Sequence, residues 1–230
     1  MWNNNYSMSS IDTRDFMYKV YGWMSAALAL TAGIAYYIGT TPAIYMEIFK
    51  SPVLFYGIVI AQIALALFFA WKITSLTYSQ AVVAFMAYAM LVGITTSSIF
   101  LVYTMSSIYM AFVVAAGMFA ATALYGYMTD ADLTSMGSFL TMGLFGLMIA
   151  MFVNMWFKSP VADYYISLVA VGIFTLLTAY DVQKIKQVGQ SLMVDVDTKH
   201  TLAVYGAFTL YLDFINLFLH LLNLLGKKKD

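Results

Sequence analysis

The sequence predicts an all-α membrane protein of seven transmembrane helices, with the C-terminal helix central and surrounded by the other six. Three observations predict it. Hydrophobic residues make up 63% and charged residues 10% of the 230 residues, against roughly 45–50% and about 25% in soluble domains. A soluble chain of this size has too little interior to hide so much apolar surface, so lipid must be the solvent for much of it. The few charges are widely spaced, and the gaps between them match a bilayer crossing, about 20 residues for a core about 30 Å thick. The apolar runs are also continuous, without the period-two alternation of barrel strands, which makes the crossings helices.

The elements follow in order. Residues 1–18 are a polar tail, residues 19–226 a single integral membrane domain, and residues 227–230 a basic tail. The tail lacks the short basic region, brief apolar run and small-residue site of a cleavable leader, so the first helix is expected to be retained. Val20 to Gly39 is the first span, within a charge-free run. Lys50 and Lys72 bracket a second, at 52–71. Between Lys72 and Asp130 no charge occurs, which leaves room for two helices, and the polar turn at Thr104, Ser106 and Ser107 divides them into 81–102 and 108–128. The fifth span is 136–157, the sixth 164–188 with Gly189 as its stop, and the seventh 202–225. Gly117, Gly137, Gly143 and Gly146 mark places where helix backbones approach closely. The 17 Met and 18 Tyr residues read as packing filler and interface anchors.

Orientation divides the basic residues. With the N-terminus in the cytoplasm, Arg14, Lys19, Lys72, Lys184, Lys186 and Lys199 face inward and Lys50 and Lys158 outward, as the positive-inside rule asks. Lys227, Lys228 and Lys229 break it, because seven crossings place them outside. A re-entrant last segment would return them to the cytoplasm, but its hydrophobic length favours a full crossing. Zero net charge gives no sign of a nucleic-acid partner. The absence of cysteine excludes thiolate metal sites and disulfides.

Nine of the eleven acids, Asp12, Asp15, Glu47, Asp130, Asp132, Asp163, Asp195, Asp197 and Asp230, fall in tails, loops or span edges. Asp181 and Asp213 do not. Asp213 sits at the middle of the seventh span, where an acid costs roughly 2.5–3.5 kcal/mol and therefore faces a cavity or a partner. A protonated Asp that merely bonds a neighbouring helix is the blander reading. Gly206, Thr209, Asp213, Asn216 and His220 share one helical face, with Asn223 at its edge, so this helix belongs inside the bundle. The sixth and seventh helices are consecutive and antiparallel, and counting about 1.5 Å per residue puts Asp181 and Asp213 at similar depth. Two carboxyl groups meeting there would share one proton and titrate as a unit. Ionised, their oxygens suit Ca²⁺, though two carboxylates make only a weak site, and weak binding is what permeation needs.

At these residues the chain resembles the transmembrane Bax inhibitor motif family, Bax inhibitor-1 type, in its bacterial form. The marks are Tyr21-Gly22-Trp23-Met24, Tyr125-Gly126-Tyr127 with Asp132-Leu133-Thr134, Leu177-Thr178-Ala179-Tyr180-Asp181 with Gln183, Ile185 and Lys186, and Leu210-Tyr211-Leu212-Asp213-Phe214-Ile215-Asn216-Leu217-Phe218. The resemblance covers nearly the whole chain. It implies seven helices with the last at the centre, a di-aspartyl pH sensor at Asp181 and Asp213, and a pH-dependent Ca²⁺ leak in a bacterial inner membrane. Members often carry a Glu on the second helix and an Arg near its end that latches onto the acids. Here Gln62 stands at the Glu position and Lys72 close to the Arg position. Gln62 cannot titrate and Lys72 lacks the bidentate fork of Arg, so a weaker or differently timed latch is expected.

The function this implies is a proton-regulated, Ca²⁺-permeable leak channel. It would be a non-enzyme without a resident cofactor, its partners lipid, protons and transient Ca²⁺. One alternative is a non-conducting regulator that binds another membrane protein, such as a membrane protease. A proton-coupled Ca²⁺ exchanger lies closer to the leading reading. An intramembrane aspartyl protease would also use two acids sharing a proton. Such proteases, however, carry Gly-x-Gly-Asp at the second acid, where this chain has Leu210-Tyr211-Leu212-Asp213, and a Pro-Ala-Leu element for which no proline remains after Pro160.

Overall fold

The computed structural model describes residues 4–72, 75–191 and 196–229. Every regular element among them is helical: α1 (Asn4–Thr40), α2 (Pro42–Lys50), α3 (Pro52–Lys72), α4 (Tyr78–Thr96), α5 (Ile99–Val102), α6 (Met105–Met128), α7 (Thr134–Phe157), α8 (Pro160–Ser191) and α9 (Val196–Leu225). Asp195 and Asp230, expected in a loop and the tail, lie outside the described residues, as does the side chain of Asp12.

Local chemistry explains the boundaries. The three prolines, Pro42, Pro52 and Pro160, each open a helix, where a missing N–H costs nothing and a fixed φ is already helical. Thr77 caps α4 by a reciprocal pair: its hydroxyl accepts from the Gln80 amide, and its own N–H donates to the Gln80 side chain. Thr104, expected to divide two spans, is the N-cap of α6. At the end of α7, Lys158 takes a left-handed conformation with φ 49°, Asn154 Oδ1 accepts from the Ser159 N–H at 3.0 Å, and Pro160 starts the next helix.

Among the described residues six helices are long and apolar enough to cross a membrane, and the bent pair Thr13–Thr40 and Pro42–Lys50, turned by 94°, makes a seventh if counted as one span. The expected spans fall on α1, α3, α4 with α5, α6, α7, α8 and α9. Four features differ. Gly189, expected to stop the sixth helix, lies within α8, which continues to Ser191 with no left-handed glycine to end it. The segment read as a polar tail is helical from Asn4 and buries Thr13, Phe16 and Met17, because apolar side chains recur there at helical spacing among the polar ones. The short helix α2 was not expected; Glu47 and Lys50 mark it as lying outside the apolar spans. The span 81–102 is interrupted at Ser97 and Ser98, whose hydroxyls donate to the carbonyls of Ile94 and Thr95, a local competition that breaks helices.

The chain divides into two compact units. The first holds Met1–Tyr103, Gly189–Tyr211 and Lys229–Asp230. Its core joins Phe69, Phe85, Tyr88, Phe208 and Tyr211 in edge and tilted ring contacts. Gly93 lets α1 approach α4, since a Cβ there would stand 2.9 Å from the Thr31 carbonyl oxygen. The second unit holds Thr104–Val188 and Leu212–Lys228, with Phe214 packed between Phe112 and Phe119.

The C-terminal helix contributes to the core of both units and is the central element of the fold. Of its membrane-length window 61% is buried, against 6–33% for the other five candidate spans. It runs unbroken through Leu225, so the last segment is a full-length helix and not a re-entrant turn. Its end returns to the start of α6 within the second unit: the Thr104 N–H donates to the Lys227 carbonyl at 3.1 Å, and the Lys227 N–H to Ser107 Oγ at 2.9 Å.

Candidate functional site

Asp181 is placed by the backbone around it. Just before it on α8, Ala179 lies so close to α6 that a Cβ on Gly126 would stand 2.2 Å from the Ala179 carbonyl oxygen. On α7, a Cβ on Gly137 would stand 2.6 Å from the Tyr180 ring. At Gly126 the clash is with backbone and only glycine fits; at Gly137 it is with the end of the Tyr180 side chain, which would have to swing away. Just after Asp181, the Gln183 side chain accepts from the Leu133 N–H at 2.9 Å and donates to the Ala131 carbonyl at 2.8 Å. Lys186 donates to the Tyr127 carbonyl at 2.7 Å and covers the Tyr127 ring. The turn of α8 that carries Asp181 is therefore clasped on both sides. Of the expected glycine contacts, Gly137 and Gly143 meet α8, whereas Gly117 and Gly146 have nothing within 4 Å.

Asp213 is placed by the register of α9 on α8. Asn223 Nδ2 donates to Asp163 Oδ2 at 2.9 Å and to Ser167 Oγ at 2.8 Å. His220 Nδ1 lies 3.1 Å from Ser167 Oγ, and its ring stacks on Phe174 at 6.1 Å. The residue numbers rise on one helix as they fall on the other, so the two run antiparallel. The same register sets Asp213 against Asp181.

The two carboxyl groups meet and form a side-chain hydrogen bond. Ionised carboxylates only accept, so a hydrogen bond between two of them requires one proton, held between the pair. Asp213 is 4% exposed, and its Oδ2 is buried without a hydrogen-bond partner. An orphaned buried acceptor is costly and rare in native structures, so this oxygen calls for a partner or a role. Lys184, one turn beyond Asp181, is close enough to act on the Asp181 charge while its ammonium sits 5.7 Å from the Tyr180 ring centroid.

The other expected residues divide. His220 joins α8 through Ser167. Thr209 and Asn216 instead bond their own helix, at the carbonyls of Tyr205 and Leu212, so that part of the polar face is spent locally. Gln62, in the first unit, accepts from Thr95 Oγ1 at 3.0 Å and bonds the Tyr88 side chain. Lys72, also in the first unit, is exposed with its ammonium 5.1 Å from the neighbouring Trp71 ring centroid. Gly126, Lys184 and Ser167 were not anticipated at the site. The spacing of Asp163, Ser167, Phe174 and Asp181 on one face of α8 was the available signal for Ser167, and the one-turn spacing from Asp181 was the signal for Lys184.

Comparison with known proteins bears directly on this arrangement. The family described as Inhibitor of apoptosis-promoting Bax1 matches residues 13–230. The inner membrane protein YbhL of Escherichia coli K12 is 43% identical over 215 residues, covering 93% of this chain and 92% of that protein. An uncharacterized protein of Borreliella burgdorferi is 41% identical over 215 residues, covering 94% and 93%. Another, from Rickettsia prowazekii, is 40% identical over 219 residues, covering 94% and 91%. Matches of this length and identity, on a fold of membrane-length helices, make the chain a multi-pass protein of the bacterial inner membrane and a member of the Bax inhibitor-1 family.

Proposed function

We propose that the protein is a Ca²⁺-permeable leak channel regulated by the protonation of Asp181 and Asp213. The observation that carries this reading is the hydrogen bond between the half-buried Asp181 carboxyl and the buried Asp213 carboxyl, with one Asp213 oxygen left unpartnered. The bond exists only while one proton is held there. Removing it places two like charges in contact at a depth where water cannot screen them, and that is costly. Helices α8 and α9 therefore feel the protonation state through their contact at this point. The freed oxygens are hard ligands suited to Ca²⁺. Among the described residues no three His, Asp or Glu side chains converge to hold a metal. In this reading the ion is cargo, held by the two carboxylates alone in a weak site of the kind conduction requires.

The test is Ca²⁺ flux into sealed proteoliposomes across a range of external pH. Wild-type protein should pass Ca²⁺ with a pH dependence that is flattened in Asp181→Asn and in Asp213→Asn, because an amide can donate to the remaining carboxylate without a titratable proton. Identical pH profiles in wild type and both variants would overturn the regulation. Wild-type liposomes no leakier than protein-free ones would overturn the channel and favour a regulator that acts by binding another membrane protein.

A further inference from the structure

We infer that the seam between α8 and α9 is the route by which a cation reaches the acid pair from the end where α8 begins, and that the Phe174 ring closes it. This rests on the channel reading and adds the path and its constriction.

The seam faces are set by spacing. On α8, Asp163, Ser167, Ala170, Phe174, Thr178 and Asp181 recur at three- and four-residue intervals, so they fall on one face. Ser167, Ala170 and Thr178 are at most 1% exposed, and Phe174 is 7% exposed. On α9, Asp213, Asn216, His220 and Asn223 recur in the same way. Asp163, Ser167, His220 and Asn223 are joined by hydrogen bonds into one polar cluster at the outer end of the seam. At its rim stands the Asp163 carboxylate, an acid of the kind that concentrates cations at the mouth of a pore.

Two turns further along α8, about 10 Å, the polar character stops at Phe174, which stacks on the inner side of the cluster against His220. Two more turns, again about 10 Å, lead to Asp181 and the unpartnered Oδ2 of Asp213. Between Phe174 and the pair, the α8 face is lined by Thr178, whose hydroxyl donates to the Phe174 carbonyl. The seam is therefore polar, then aromatic, then polar. Small side chains at Ser167 and Ala170 leave the ring as the bulky group on the α8 side. A single apolar constriction between polar segments gates by excluding water. Phe174 turns on two side-chain angles, so it can move aside without either helix breaking.

The protein has no cysteine, which permits a test that does not use flux. Single cysteines are placed at Ser167, outside the ring, and at Thr178, inside it. Leu168→Cys, half-exposed on the apolar face, is the lipid-facing control. Each is treated in proteoliposomes with a small, membrane-impermeant, cationic methanethiosulfonate. Ser167 is 1% exposed in the resting packing, so reaction there reads an opening of the seam: Ser167→Cys should react and Leu168→Cys should not. Thr178→Cys should react at least tenfold faster when Phe174→Ala is added, and Phe174→Leu, which keeps an apolar plug, should leave it slow. In the same liposomes Phe174→Ala should raise Ca²⁺ leak several-fold. Equal labelling of Thr178→Cys with and without Phe174→Ala overturns the constriction, and an unreactive Ser167→Cys overturns the path. Either failure, with the pH dependence still lost in Asp181→Asn, leaves the acid-pair channel standing. Labelling as expected without any Ca²⁺ leak overturns the channel while keeping the path.

Discussion

Each unit buries polar groups at membrane depth, and the two do so in opposite ways. In the first unit the groups are neutral and fully paired: Thr31 Oγ1 donates to the Ala89 carbonyl at 2.9 Å and meets the Tyr211 hydroxyl at 2.7 Å, while Gln62 bonds Thr95 and Tyr88. In the second unit the groups are two acids, bonded to each other, with an acceptor left over. Neutral hydroxyls and amides do not change charge with pH, so the first network can only hold helices together. The acid pair is a worse glue, since breaking even would require every lone pair to be satisfied, and under the proposed function its retention follows from its response to protons. In that reading, polarity in the membrane interior separates into scaffold and switch according to whether the groups titrate.

The largest effect expected from breaking this contrast is steric. Both units rely on a glycine for close helix approach against a backbone carbonyl, but the two contacts differ in closeness. A Cβ at Gly126 would meet backbone, the Ala179 carbonyl at 2.2 Å, beside the acid pair. At Gly93 it would stand 2.9 Å from both the Ile34 Cβ and the Thr31 oxygen. Gly126→Ala should cost about 3 kcal/mol, the upper range for overpacking. Gly93→Ala should cost about 1 kcal/mol, because part of the clash is offset by the better helix propensity of alanine. Thermal unfolding in detergent reads both. Comparable losses at the two sites would mean that the second unit holds its acids with no more rigidity than the first holds its hydroxyls.

The helix positions were legible because lipid excludes charge: Lys50, Lys72, Asp130 and Lys158 sit at or beyond helix ends, and the apolar runs between them became helices. The burial of Asp213 was legible for the same reason, as the one acid at the middle of an apolar run. Local competition was not legible, since the serines that break the helix after α4 are ordinary helix residues elsewhere. Nor was the difference between Gly126 and Gly117, two glycines on one helix. One touches a neighbour and the other touches nothing, and only the rotation of α6 decides which. The spacing puts Thr209 and Asn216 on the polar face of α9, yet both satisfy themselves on their own carbonyls. Periodicity says which way a side chain points but not whether its hydrogen bonds leave the helix.

A smaller effect sharpens the scaffold side of the comparison. Tyr211→Phe removes one hydroxyl and leaves Thr31 still donating to Ala89. No buried group is orphaned, so the cost should be about 1 kcal/mol, the net worth of a hydrogen bond. The loss should be the same at every pH from about 5.5 to about 8, since a threonine never ionises and a tyrosine does so only near pH 10 in water. A loss that grew or shrank across that window would tie the first network to the proton chemistry assigned to the second unit alone.

The smallest effect concerns a second acid in the same unit, and it separates position from chemistry. Asp132 lies outside the spans at the start of α7, where its Oδ1 accepts from the Thr134 N–H at 2.9 Å. The side-chain and then the backbone hydrogen bond from Thr134 hold its carboxyl below the ordinary value of 3.8. A group whose folded value is depressed stabilises the fold above its unfolded value and loses that contribution as pH falls through the folded one. The window lies below pH 3.8. Hydrogen exchange of the first turn of α7 should therefore be flat from about pH 5.5 to about 8 once corrected for intrinsic rates, and Asp132→Ala should speed it only slightly, as an exposed cap should. An exchange rate that followed the pH profile of Ca²⁺ flux would show the α7 end opening with the acid pair, through the Leu133 and Ala131 contacts of Gln183. A flat rate confines the pH response to acids buried between helices.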